Sequence, residues 1–251
     1  MDKYTLKTAY QKSFFGLVWR MEVDTSVGLL AVETRDAETG NPSFSALRYR
    51  TGVSLIHELP YGDRNWTLAG AVDGRLILKA FGQDSPEGTG IACIDAGTGE
   101  VVWEQFNYVL LAVVDGLLLV RHRTFAGGYE QYLDAHTGDL TQFNISADKP
   151  TGPGIVIPQR YGASIPVFLA NYAAYGDIFH GAIGSKEVWA FHEKLNQAFC
   201  IRLVVSSGSN VLDDKVVLSD LPKMLPEIFF SIAEQLFLIG DNKRKIVSYL
   251  V

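Results

Sequence analysis

Four consecutive polar residues, Glu33-Thr34-Arg35-Asp36, end an apolar stretch, Leu29-Leu30-Ala31-Val32. In an extended chain Glu33 and Arg35 share one side, and Thr34 and Asp36 share the other. A Glu–Arg pair so placed could bind an anion or a sugar. It could equally be an ion pair between neighbouring sheets, where a partly buried charge needs a partner. A second polar group, Arg121-His122-Arg123, ends another apolar run, and Lys79 lies in a third. Laid in repeat register, Arg35, Lys79 and Arg121 fall on corresponding strands. They could line one side of a ring, or be strand ends running out into solvent. The candidate ligand-binding residues are therefore Glu33, Arg35, Asp36, Arg121 and His122.

Other chemistries find less support. The histidines (His57, His122, His136, His180, His192) show no HExxH and no other close metal spacing. Cys93 and Cys200 each sit among apolar residues and read as buried thiols. No CxxC, GxSxG or P-loop is present, nor a GxGxxG at a strand–helix junction. No metal and no cofactor is expected. A glycosidase would need a carboxylate pair roughly 5–9 Å apart, drawn from distant positions such as Asp63 and Asp177. Trp66, Tyr161, Tyr172, Tyr175 and Trp189 are available for a recognition surface.

The net charge of −6 and scattered basic residues argue against nucleic acid and anionic membranes as partners. Lys243-Arg244-Lys245 reads as a solvated hairpin tip. The first residues lack the apolar core of a signal peptide. The longest apolar run, Val109 to Val120, is broken by Asp115-Gly116 and too short to span a bilayer. A cytoplasmic protein is expected.

The elements that must position these residues are repeated. Asp95-Ala96-Gly97-Thr98-Gly99-Glu100 returns as Asp134-Ala135-His136-Thr137-Gly138-Asp139, and more loosely as Arg50-Thr51-Gly52. Asp73-Gly74 and Asp115-Gly116 split apolar runs as two-residue hairpin turns do; Ser26-Val27-Gly28 takes the same place one unit earlier. Each unit reads as four strands, with blades over about 15–59, 60–106 and 107–147. Residues 149–154 form a break between blades. Val188–His192 and Ala198–Leu203 read as the third and fourth strands of a fourth blade, whose first half, about 155–183, is irregular. Glu227–Ala233, Gln235–Ile239 and Lys245–Val251 read as three strands of a fifth. The rival for 227–239 is a helix, opened by Pro226 with Phe229, Ile232, Ala233 and Leu236 on one face. The missing strand is supplied by Tyr4–Tyr10, pairing with Lys245–Val251. The expectation is an all-β fold: one β-propeller domain over 1–251, with five four-stranded blades and a ring closed by the N-terminal strand.

The Asp-Ala-x-Thr-Gly-Glu-x-x-Trp stretch at 95–103 resembles the repeat of quinoprotein-type (PQQ-like) propellers. That resemblance implies that Asp and Thr tie down the turn and that Trp103 wedges between blades. The Trp position is Gln142 in the next unit and Ile56 in the first. Quinone-dependent members of that superfamily are eight-bladed, calcium-bearing and secreted, so pyrroloquinoline quinone is not implied here. Trp19-Arg20, Val32-Glu33-Thr34-Arg35-Asp36 and Phe44-Ser45-Ala46-Leu47 are similar to blocks of a small bacterial family of unknown function and about this length. No activity follows from that likeness. The expected function is non-catalytic binding of a protein or small-molecule ligand; the alternative is a carbohydrate-active hydrolase or lyase with acidic residues at the axial funnel.

Overall fold

The computed structural model describes residues 5–82, 88–114, 116–124, 129–143, 152–240 and 242–251. Contacts divide the chain into two compact units, Phe14–Gly152 and Met1–Ser13 with Pro153–Val251. The chain begins with β1 (Lys7–Ser13), which belongs to the second of these.

Residues 14–152 hold three antiparallel four-stranded meanders. Sheet 1 is β2 (Leu17–Asp24), β3 (Leu29–Arg35), β4 (Pro42–Arg48) and β5 (Ser54–Pro60). Sheet 2 is β6 (Trp66–Val72), β7 (Arg75–Phe81), β8 (Gly88–Asp95) and β9 (Val101–Gln105). Sheet 3 is β10 (Tyr108–Val114), β11 (Leu117–His122), β12 (Glu130–Asp134) and β13 (Leu140–Thr141). These are the three blades read from the repeats. Asp73 and Gly74 both have positive φ, +46° and +75°, as a type I′ turn requires. Gly116 matches at +85°; its neighbour Asp115 lies outside the described residues, as do 149–151 of the expected break.

Alternating apolar residues bury both faces of sheet 2. Leu68, Leu76, Leu78 and Ala92 form a core with Leu29, Ala31, Phe44 and Ala46 of sheet 1. Ile77, Ile91 and Cys93 form another with Leu110, Leu118, Val120 and Leu133 of sheet 3. The last strands of sheets 1 and 2 each reach the Thr-Gly turn of the sheet that follows. Trp103 Nε1 donates to the Ala135 carbonyl at 3.1 Å, and its ring covers Gly138. Ile56, the residue at the Trp position of sheet 1, packs on Gly99 in the same way.

The second unit holds two five-stranded sheets. One contains β14 (Ile155–Val156), β20 (Phe230–Ile232), β21 (Gln235–Gly240), β22 (Lys245–Leu250) and β1. The other contains β15 (Gln159–Arg160), β16 (Ala174–Ile183), β17 (Lys186–Leu195), β18 (Ala198–Ser207) and β19 (Asn210–Leu221). β1 pairs with β22 from Lys7↔Leu250 to Ser13↔Lys245, as expected, although Tyr4 lies outside the described residues. Residues 230–240 are strands and not a helix. Ala233 at φ +51° turns the chain, and Leu236 and Leu238 alternate into a core with Val188, Ala190, Ile201 and Leu203.

Two expectations need correction here. Val188–His192 and Ala198–Leu203 are not the last strands of their sheet. They lie in β17 and β18, with β19 beyond them. Of the stretch expected to be irregular, 174–183 is a ten-residue strand. The irregular part is 161–173, with one 3-10 turn at Val167–Leu169. Among the described residues no helix is long and apolar enough to cross a membrane.

Candidate functional site

β3 is buried along almost its whole length, which forces Glu33 inside with no exposed surface. A buried carboxylate needs donors on both oxygens. Glu33 Oε1 accepts from Arg35 Nε at 2.6 Å; Oε2 accepts from Thr67 Oγ1 and the Leu68 N–H, both at 2.7 Å. Arg35 spends its remaining donors on Glu33 again and on the carbonyls of Gly40, Arg64 and Trp66. All five guanidinium N–H groups thus have protein acceptors. The pair clamps the last strand residues of β3 to the first residues of β6.

Thr34 points the other way, as alternation requires, and donates to Glu58 Oε1 at 3.2 Å. Glu58 also accepts the N–H groups of Phe15 and Gly16, at 2.9 Å each. It crosses sheet 1 from β5 to the start of β2. Asp36 closes its own turn: Oδ1 accepts from the N–H groups of Glu38 and Thr39 and from Thr39 Oγ1. Asp95 and Asp134 do the same for Gly97, Thr98, His136 and Thr137. Asp36-Ala37-Glu38-Thr39-Gly40 is therefore a further copy of the repeat turn, placed between the second and third strands. The five-residue pattern was the signal that could have revealed it.

Arg121 and His122 lie in β11 of sheet 3, so sheet 2 stands between them and the first three candidates. His122 meets Tyr108 edge-on at 5.3 Å, and its Nδ1 accepts from the Thr124 N–H at 3.3 Å. Arg35, Lys79 and Arg121 lie on corresponding strands, as expected, but not at one position, and within Arg121-His122-Arg123 the residue level with Arg35 is Arg123. Glu33 lies opposite Phe44, Lys79 opposite Ile91 and Arg121 opposite Glu130, so these three share one register. Arg35 corresponds to Phe81.

The sequence reading missed where the exposed aromatic residues gather. Among the described residues of 14–152 they are Phe15, Trp19, Phe81, Phe106, Tyr129 and Phe143, with Tyr129 93% and Phe15 87% exposed. All lie where the first and third strands begin or the second and fourth end, which is one end of the three sheets. At the opposite end the exposed large apolar residues among those described are the aliphatic Val27, Val53, Val101, Val102 and Leu140. Two of the rings are backed by cations: Arg35 lies 5.7 Å from the Trp19 ring and Lys79 5.2 Å from that of Phe81. Burial and the charge of Arg20 hold the Lys79 ammonium below the usual lysine range. Beside Tyr132 and Phe143, whose rings are 4.8 Å apart, an open groove of about 750 Å³ runs along sheet 3.

The second unit has its own polar cluster, on one face of the long-stranded sheet. Arg202 donates to both Glu193 oxygens at 2.9 and 3.1 Å and to Asp214 at 2.6 Å. It lies over the Tyr172 ring. Burial raises the Cys200 thiol, which sits 3.7 Å from Glu193, and burial pushes Cys93 up to about 12. Both cysteines are free and buried. His192 accepts the Leu225 N–H through Nε2 at 3.0 Å, and burial lowers its pKa. Tyr161 and His180 pack on Trp189. Asp63 caps the Asn65 N–H, and Asp177 pairs with Arg160; they lie in different units. Among the described residues no group of three or more His, Cys, Asp or Glu could hold a metal.

Comparison with known proteins gives a family-model match over part of the chain and distant structural neighbours. A family model described as a domain of unknown function, DUF4905, matches residues 23–103. No curated protein matches. Among solved structures, BamB from Moraxella catarrhalis aligns over 94% of this chain and 83% of its own, at 11% identity and a TM-score of 0.24. A structure described as a glycoside hydrolase from Bacteroides ovatus aligns over 95% and 87%, at 10% identity and a TM-score of 0.28. At those scores neither neighbour's role is carried over to this chain.

Proposed function

We propose that this chain is a non-catalytic binding protein of the cytoplasm, a propeller whose recognition face is the aromatic end of residues 14–152. The observation that supports this reading is the segregation of exposed rings to one end of the sheets. Scattered apolar residues are ordinary on a surface; rings gathered at one end, among arginines, have the composition of an interface core. The ligand is a protein or a small molecule. Glu33, Arg35 and Asp36 serve this face by holding its strands and turn, and Arg121 and His122 lie at the same end.

The test compares ring truncations at the two ends. A Trp19→Ala/Phe15→Ala variant should lose a ligand found by cross-linking or ligand screening, while Val53→Ala, at the opposite end, should keep it. Equal loss from both variants, or from neither, would remove the proposal. A second reading, a carbohydrate-active hydrolase, has the groove beside Tyr132 and Phe143 in its favour, because ring faces there adjoin Glu130 and Gln131. Turnover in a glycoside screen that disappears in Glu130→Gln would favour it.

A further inference from the structure

In the second unit the chain passes from β19 to β20 through residues 222–229. Pro222 and Pro226 have no N–H to give. Residues 222–227 are exposed except Leu225, which is half-buried against the core that Ile228 and Phe229 enter. Met224 passes over Gly176, where a methyl would stand 3.3 Å from its sulfur. Among the described residues the bond from the Leu225 N–H to His192 Nε2 is the only hydrogen bond that 222–229 makes. His192, 2% exposed, presents that acceptor from near the end of β17. A single lone pair thus carries the polar attachment of this connection.

A ring nitrogen that accepts a hydrogen bond carries no proton, so His192 sits there as the neutral Nδ1–H tautomer. Tyr175 of β16 and Ile201 of β18 lie opposite it, and the Phe199 ring meets it edge-on at 6.4 Å. Lys194, two residues along the same face, holds its ammonium over the Tyr175 and Phe199 rings. Glu193 and Arg202 bind each other on the opposite face. Asp220 of β19 is exposed and takes the Ser219 hydroxyl; Lys223 and Glu227 of the connection are exposed. Protonation would set Nε2–H against the Leu225 N–H, two donors facing each other in a buried place. We propose that His192 is an acid-sensitive latch: on taking a proton it releases Leu225, and the connection 222–227 opens. Burial lowers the pKa of His192 in the closed form, so the open form binds the proton more readily. The latch is closed above the ordinary histidine value, near 6.5, and is lost as pH falls from there toward the lower folded value. It stands apart from the recognition face proposed above.

The experiment is NMR of the whole chain from neutral pH down to about pH 5, the range in which histidine titrates. Met224 is one of three methionines and lies next to Leu225, so its labelled methyl reports on the connection. That methyl should shift as the pH falls, while the methyl of Met21, in the first unit, stays. Protection of the Leu225 amide, relative to its intrinsic exchange rate at each pH, should drop by up to about tenfold per pH unit below about 6.5. His192→Gln keeps an acceptor that does not titrate, so both signals should become independent of pH. Constant protection in the parent, or the same response in His192→Gln, overturns the proposal. If that variant fails to fold, the ring nitrogen shifts of His192 in the parent decide. Nε2 should be unprotonated at neutral pH and gain its proton together with the Met224 change; a protonated Nε2 at neutral pH overturns the proposal as well.

Discussion

The two junctions within residues 14–152 have similar cores and opposite rims. At both, aliphatic residues of facing sheets interleave. At the first, Glu33 and Arg35 tie sheet 1 to the opening strand of sheet 2 through Thr67, Leu68, Arg64 and Trp66. At the second, the same register carries Lys79 and Phe81. A repeat thus transmits backbone geometry without transmitting chemistry. At the first rim the polar groups satisfy one another and tie two sheets together, whereas among the described residues the recorded side-chain neighbour of Lys79 at the second is the Phe81 ring.

The largest expected effect tests the closed rim. Glu33→Ala strands Arg35 among carbonyls and leaves Thr67 and Leu68 without their acceptor. Removing one member of a buried pair costs about 3–5 kcal/mol. Urea denaturation should show that loss. A cost comparable to a surface substitution would mean that the two junctions do not differ as argued.

Next in size is the contact that both junctions share, the last strand against the next Thr-Gly turn. Trp103→Ala removes a large ring and its hydrogen bond to Ala135, and should cost about 2–4 kcal/mol. The cost of Gly138→Ala should be larger than that of Gly99→Ala. Both glycines have positive φ, but a methyl at 138 would stand 2.7 Å from Trp103, against 3.3 Å from Ile56 at 99. In a Trp103→Ala background that excess should vanish, so a double-mutant cycle reads the wedge directly.

Why some of this could be read from the sequence, and some not, follows from locality. Asp-x-x-Thr-Gly and Asp-Gly turns are chosen by hydrogen bonds and φ values within a few residues, so they stand out in the chain. The register of Arg35 depends on which turn is used to count. Glu33 stands five residues after Gly28 and Lys79 five after Gly74, so the first-hairpin turns set Glu33, not Arg35, level with Lys79. The turn of sheet 1 is the harder one to recognise, because it runs through residues 25–28 where sheet 2 uses Asp73-Gly74 alone. The long strands 174–221 were obscured because Gly176, Gly181 and Gly184 interrupt the apolar alternation. The aromatic end was hidden for another reason: Phe15, Phe106 and Tyr129 gather only when the strand directions are known.

The turns themselves offer a smaller effect. Asp36→Ala, Asp95→Ala and Asp134→Ala each remove an acceptor for two backbone N–H groups. Each should cost about 1 kcal/mol. Asp36 also accepts from Thr39 Oγ1 and Asp95 also pairs with Arg75, so both substitutions should lower the denaturation midpoint more than Asp134→Ala.

The smallest effect has the opposite sign and tests the open rim. Burial and Arg20 disfavour the charged form of Lys79, so its pKa is lower in the folded protein than in the unfolded chain. Below the folded value the charge weakens the fold; as pH rises from there toward the unfolded lysine value, near 10.4, the unfolded chain binds more protons and stability increases. Lys79→Met should therefore be at least as stable as the parent at neutral pH. The parent should then gain on it in the alkaline window. A variant that melts lower at neutral pH would show that Lys79 supports the fold, and the contrast between the two rims would disappear.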